Sequence, residues 1–276
     1  VNLNQSITLM SLNGPQLTIV DANSFGTAMT ISQGVTSTLD GFTLENGNSP
    51  DIGAGGLIVY NSESVIKNCI IQDNIGDQGG GVYAYAGSFY NCKIINNSYD
   101  PGGGAIFLDY VGFGEYPLFE NCLISGNNGI GIQQWCRLIN TTVVNNQGSG
   151  ISSAGTSTIT NSIIFNNGSN GIGSSTATVT NSLVEGGYPG TGNIDLNPLF
   201  VDAENGDYHL SDYSPAIGAG SATGSPITDN EGNLRPNPVG SNPDMGAYES
   251  SLGAPAHNPF IYVATTGEDV GSVGVM

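Results

Sequence analysis

The chain has 276 residues, with 23 Asp and Glu against only 4 Lys and Arg, a formal charge of −19. That balance argues against nucleic acid or an acidic membrane surface as a partner, since both need clustered Lys and Arg to neutralise phosphate. No apolar run is long enough for a transmembrane helix, and 42 glycines with abundant Asn argue for many tight turns and few helices.

In chain order, Val1-Asn2-Leu3 has strand character, and no charged segment followed by an apolar core marks a signal peptide. Two coils are expected next, at Leu17–Asp21 and Gly41–Leu44. From there Asn-(Cys/Ser/Thr)-x-(Ile/Val) recurs with anchors at Asn68, Asn91, Asn121, Asn140, Asn161 and Asn181. A repeat of this length is the mark of a solenoid. The residue after each anchor is Cys, Thr or Ser, and the third after it is Ile or Val. In a strand these two share a face, so both are expected inside, each stacked on its copy in the next coil. The residue between them includes Lys93 and Thr142 and is expected outside. Counting roughly eight coils at a strand spacing of ~4.8 Å predicts a stack about 40 Å long. The pattern predicts an all-β parallel β-helix over residues 1–185.

A second strand follows each anchor. If Leu57, Val82, Ala105 and Ile132 face inward, the outward residues are Ile58 with Tyr60, Tyr83 with Tyr85, Ile106 with Leu108, and Gln133 with Trp135. A slip of one residue exchanges the faces, but both sets are apolar here. An inserted loop, a neighbouring molecule or a ligand must therefore cover this stretch. The inserts Asp73–Gly80, Asn97–Gly103 and Asp109–Pro117 fall in the same coils, and insertions in solenoids often mark the binding face. Acids beside aromatics suit sugar rings, so Tyr60, Tyr83, Tyr85, Asp109, Glu115 and Trp135 are the candidate ligand-binding residues. A loop folded over the stripe is an equal alternative.

The coils resemble the right-handed parallel β-helix superfamily of pectate-lyase-like proteins and surface adhesins, with the six anchor asparagines matching its internal asparagine ladder. The stretch from Asn197-Pro198-Leu199-Phe200 through Asp207-Tyr208-His209-Leu210 to Asp244-Met245-Gly246-Ala247-Tyr248-Glu249 resembles the C-terminal segment of secreted bacterial proteins of this kind. The resemblance implies a right-handed helix, a small β-rich C-terminal cap over 186–250 and an extracellular or cell-surface location. It implies no one chemistry, because the superfamily holds lyases, hydrolases, adhesins and fibres.

The remaining motifs point several ways. Cys69, Cys92 and Cys122 share the inward position that Thr and Ser fill in later coils, which fits small core residues better than disulfides. Cys136 is out of register. A lyase acting on uronates needs a cation and a base, but the coils offer only Lys67, Lys93 and Arg137 and no His. A hydrolase needs paired carboxylates, for which Asp73 with Asp77 or Asp109 with Glu115 are candidates, so no catalytic residue is assigned. Asp229-Asn230-Glu231-Gly232-Asn233 alternates oxygen side chains around a glycine, making Asp229, Glu231 and Asn233 candidate calcium ligands beside the plainer reading of an acidic turn. No other cofactor is expected.

After a Pro/Ala/Gly linker, residues 251–276 end in a strand at Phe260-Ile261-Tyr262-Val263-Ala264 that resembles the opening strand of such a domain. It is expected to complete the first coil of a second copy by strand addition, giving a head-to-tail filament. The sequence thus predicts a secreted structural or adhesive protein that assembles with itself and contacts glycans. The alternative is part of a multidomain polysaccharide lyase or glycoside hydrolase.

Overall fold

The computed structural model describes residues 1–50, 53–60, 63–99, 104–109, 116–152, 155–169, 171–173 and 176–256. The chain winds as a right-handed parallel β-helix. Each turn contributes one short strand to each of three parallel sheets. The first sheet holds seven strands, from Asn2–Leu3 to Ile151–Ser152. The second holds eight, from Thr8–Met10 to Thr178–Thr180, and the third eight, from Ile19–Asp21 to Leu183–Val184. Strands pair in register from rung to rung, so equivalent residues form columns. Ile71, Ile94, Ile124, Val143 and Ile164 are successive partners in the third sheet and are fully buried. In the second sheet Phe89 stacks on Phe119 with centroids 4.7 Å apart. Burying each such side chain contributes about 1.5–3 kcal/mol, and the columns merge into one core along the axis.

The repeat motif contains two asparagine columns with different tasks. The anchors Asn68, Asn91, Asn121, Asn140, Asn161 and Asn181 all take the left-handed conformation, with φ between 46° and 53°. Asn adopts this backbone at lower cost than other side-chain-bearing residues. The anchors therefore turn the chain from the second sheet into the third. They are not the interior ladder that the resemblance implied. That ladder lies six residues further on, at Asn74, Asn97, Asn127 and Asn146, at most 2% exposed, and continues to Asn167. Each interior carboxamide donates to the next at 2.8–3.2 Å and also to a backbone carbonyl, as Asn127 does to Ile94. This satisfies buried polar groups that would otherwise cost about 1–3 kcal/mol each.

The four cysteines are buried and free. Cys69, Cys92 and Cys122 occupy the inward column as expected, and Thr141, Ser162 and Ser182 continue it, each bonded to a backbone carbonyl. Cys136 belongs to a different column, at the entry to the second sheet. Its rung neighbour there is Ser157, whose hydroxyl accepts from the Cys136 amide at 2.9 Å. Burial pushes the Cys136 thiol up to about 12, with the Ser157 hydrogen bond opposing, so it is inert rather than reactive.

The C-terminal segment does not sit on an end of the stack. It lies along the outward face of the third sheet. Leu123, Ile163 and Leu183 point outward but are buried beneath Tyr208, Ile217 and Met245. The antiparallel pair Phe200–Asp202 and Asp207–Leu210 belongs to this cover. The anchor column is its rail. Asn121 donates to the Thr228 carbonyl, Asn140 to that of Asp244 and Asn161 to that of Ser221, at 2.7–2.9 Å. The end of the stack beyond Val184 is closed instead by a turn in which Asn193 accepts from the Ser182 amide and donates to the Val179 carbonyl.

Candidate functional site

The expected faces of the first sheet hold in three coils and shift in one. Leu57, Val82 and Ile132 are buried inside. In the stretched coil, however, Val82 pairs with Ile106 rather than Ala105, because strand Gly104–Leu108 sits one residue further on. Ile106 and Leu108 therefore point into the core, and Phe107 points out beside Tyr83. Sequence alignment on the glycines missed this slip, since Gly81 faces Ala105 across the ladder.

The outward column that results is Thr30, Ile58, Tyr83, Phe107 and Gln133. Its middle is a small satellite core in which Ala54, Ile58 and Tyr83 are buried, with Tyr85 and Phe107 against them. Tyr83 and Phe107 stack at 5.7 Å. Tyr60 and Tyr85 stack at 5.2 Å with Tyr60 38% exposed, and Tyr85 meets Tyr83 edge-on. The Asp109 carboxylate accepts the single Tyr83 hydroxyl proton at 2.7 Å. The 3.0 Å contact between the two tyrosine hydroxyls is then one in which Tyr85 donates. Burial, with these bonds in support, raises the Tyr83 pKa strongly, so the phenol stays neutral. The structure therefore brings together Tyr60, Tyr83, Tyr85 and Asp109. Tyr83 itself is covered, which leaves the Tyr60–Tyr85 pair with Asp109 as the accessible platform. Trp135 packs edge-on to Tyr116 at 5.8 Å. Glu115 lies outside the described residues.

A second constellation was invisible in the sequence. His209, on the outer strand of the C-terminal segment, bonds Asp207 through Nδ1 at 2.6 Å and Glu231 through Nε2 at 3.2 Å. Lys93 reaches Glu231 at 3.9 Å and stands over the Tyr248 ring, on which His209 also packs. Burial alone would lower the His209 pKa, but hydrogen bonds to the two carboxylates outweigh it and the net shift is upward. Asp207 stands beside His209 in the sequence, but Glu231, Lys93 and Tyr248 come from distant rungs and turns.

The candidate calcium ligands Asp229, Glu231 and Asn233 lie in one turn of the C-terminal segment. Asp229 is buried, and its two carboxylate oxygens accept from the amides of Glu231, Asn233 and Glu249 and from the Asn233 carboxamide. Glu231 faces His209 and Lys93 instead. These N–H groups aimed at the Asp229 carboxylate hold the turn. No group of three or more His, Cys, Asp or Glu suited to a metal occurs among the described residues.

Beside that turn, Arg235 and Glu249 form an ion pair at 3.0 Å with both side chains fully buried. Arg235 also donates to the Asp244 and Gly246 carbonyls, while Glu249 accepts from the Asn237 and Asp244 amides. Burial, then the neighbouring Glu249 charge, pushes the Asp244 carboxyl up to about 7. The Asp-Met-Gly-Ala-Tyr-Glu stretch is thus a latch: Glu249 pairs with the Arg235 guanidinium, while the Asp244 carboxylate accepts from the Gly218 and Ser250 amides. Lys67 is paired with Asp40 at 3.2 Å. Phe260, Ile261, Tyr262, Val263 and Ala264 lie outside the described residues.

No helix among the described residues is long and apolar enough to cross a membrane. A search of the curated proteins finds no match to the chain. The family model described as the right handed beta helix region matches residues 31–184. That span covers more than half the chain and all the stacked columns from Ile31 to Val184, so the chain belongs to the right-handed β-helix family.

Proposed function

We propose that the chain is a secreted or cell-surface structural and adhesive scaffold that holds a glycan against the Tyr60–Tyr85 platform. The observation that carries this reading is the stacked tyrosine pair, one ring 38% exposed, beside a carboxylate that Tyr83 holds in place. Aromatic faces pack on the apolar faces of sugar rings, and a fixed acceptor orients their hydroxyls. Affinity electrophoresis in gels containing neutral or acidic polysaccharides tests it. Retardation by at least one of them, lost on Tyr60→Ala or Tyr85→Ala, is the expected result. Equal retardation of parent and variants in every gel would sink the platform.

Head-to-tail assembly is the second half of the reading. It draws support from the first coil, where Met10, Leu12, Leu17 and Phe25 are exposed apolar side chains. Electron microscopy of the purified chain should show filaments, and removal of residues 251–276 should abolish them. Monodisperse particles at high concentration would remove assembly from the proposal. The enzymatic alternative predicts unsaturated products or new reducing ends from pectin or alginate, and their appearance would replace this reading.

A further inference from the structure

We propose that Tyr60 and Tyr85 are a site of oxidative cross-linking, where a peroxide-class oxidant joins two coils through a dityrosine bond and Asp109 takes up the Tyr85 proton. The fold prepares this contact. Val59 and Ala84 are partners in the first sheet. The Tyr85 amide donates to the Val59 carbonyl, and the Asp109 amide to that of Ala84. Tyr60, Tyr85 and Asp109 therefore hold one position on three successive rungs, about 4.8 Å apart. The two phenol rings stack at 5.2 Å with their planes 27° apart. Tyr60 is exposed, so an oxidant reaches it and its ring has room to close on its neighbour. Tyr83 is held out of the reaction, buried with its ring stacked on Phe107. The four cysteines are buried and free, whereas the Tyr60–Tyr85 pair stands at the surface.

The hydrogen bonds supply a path for one of the protons. Tyr85 donates to the Tyr83 oxygen at 3.0 Å, and Tyr83 donates to the Asp109 carboxylate at 2.7 Å. When an electron leaves Tyr85, its proton passes to Tyr83 as the Tyr83 proton passes to Asp109. Tyr60 gives up an electron and releases its proton to water. Each ring is then a neutral phenoxyl radical. The radicals join through a new bond between ortho carbons, and each of those carbons loses its hydrogen as the oxygen of the same ring regains a proton. The chain loses two hydrogens in all. The two electrons break the O–O bond of the oxidant, and with hydrogen peroxide the two protons leave in two waters. The new bond closes a loop between neighbouring coils and restricts the unfolded chain, as a disulfide does. This inference uses residues of the glycan platform but rests on their geometry, not on glycan binding.

Photo-oxidation of the dilute full chain with persulfate and a ruthenium complex tests the site. Cleavage after Lys67 and Lys93 yields residues 1–67, whose one tyrosine is Tyr60, and 68–93, which hold Tyr83, Tyr85 and Tyr90. The expected product is a monomer lighter by two hydrogens, with these two peptides joined through Tyr85 and a raised melting temperature. Tyr60→Phe and Tyr85→Phe should each abolish the link with almost unchanged melting of the untreated chain, while Tyr90→Phe should leave the link in place. Tyr83→Phe and Asp109→Asn should each slow coupling about tenfold, the double variant no further, and Asp109→Glu should recover most of the rate. No link, a link through Tyr83 or Tyr90, cross-links between molecules only, or an Asp109→Asn rate equal to the parent's would each overturn the proposal. Polysaccharide retardation is measured without oxidant, so the glycan reading stands or falls separately.

Discussion

The two asparagine columns are six residues apart in the same motif, made of the same side chain, and held by different physics. In the interior column the carboxamide matters: buried, it must donate and accept along the stack. In the anchor column the backbone matters first, since Asn is there for its left-handed φ. That column changes character along its length. Asn68 is exposed and linked to Asp40 and Asn91, whereas Asn121, Asn140 and Asn161 are buried as the rail of the C-terminal segment. One residue type thus answers two requirements, and only the surroundings tell which.

Substitutions can break this comparison at graded cost. The largest effect is expected at the latch that keeps the segment on its rail. Arg235→Ala leaves buried carboxylates without their cation, at about 3–5 kcal/mol, and dye binding should report the uncovered Leu123, Ile163 and Leu183. Next, Asn127→Gly removes an interior carboxamide and orphans groups on Asn97 and Ile94, for about 3 kcal/mol in denaturant unfolding. The same change at Asn140 keeps the turn but loses the bond to Asp244, for about 1 kcal/mol. At Asn68 it should cost only a few tenths of a kcal/mol, because glycine tolerates the turn as well. Equal costs at Asn127 and Asn68 would erase the distinction between the columns.

The smallest effect is a pH dependence of the cover. The His209 pKa is raised, so its contribution is complete below about 6.5 and lost as pH rises through the folded value. Asp244, raised to about 7, binds its proton more tightly when folded, so its contribution also declines between about pH 4 and 7. Both act in one direction. Protection of the amides at 207–210 and 244–250, relative to the base-catalysed intrinsic exchange rate at each pH, should be higher at pH 5 than at pH 8, and His209→Gln should reduce that difference. Identical protection factors at both pH values would refute the linkage.

Much of the scaffold was legible because each coil repeats one local rule. Alternation put Cys69 and Ile71 inside, and the substitution of Cys by Thr and Ser in later coils showed that the column wants small side chains rather than disulfides. The stretched coils were legible only as an interruption. Whether Ala105 or Ile106 faces Val82 depends on how a glycine run absorbs an insertion, and period-two alternation leaves that choice open. The gathering of Tyr60, Tyr83, Tyr85 and Asp109 followed from neighbouring coils and was foreseeable. The pairing of Trp135 with Tyr116 was not, since Tyr116 comes from an insert.

The C-terminal segment shows where sequence ceases to decide. Nothing local marks Asp229, Asp244 and Glu249 as interior residues, yet they are buried among backbone amides, with Glu249 on Arg235. The sequence alone determined the solenoid, because a short repeat stacks only on its own copies and each column is a nearest-neighbour choice. Tertiary structure decided where the non-repeating part lies. Nothing local distinguishes an outward Leu123 or Asn140 that meets water from one that meets residues about 100 positions away. Only the packed surface reveals that one face of the third sheet is covered.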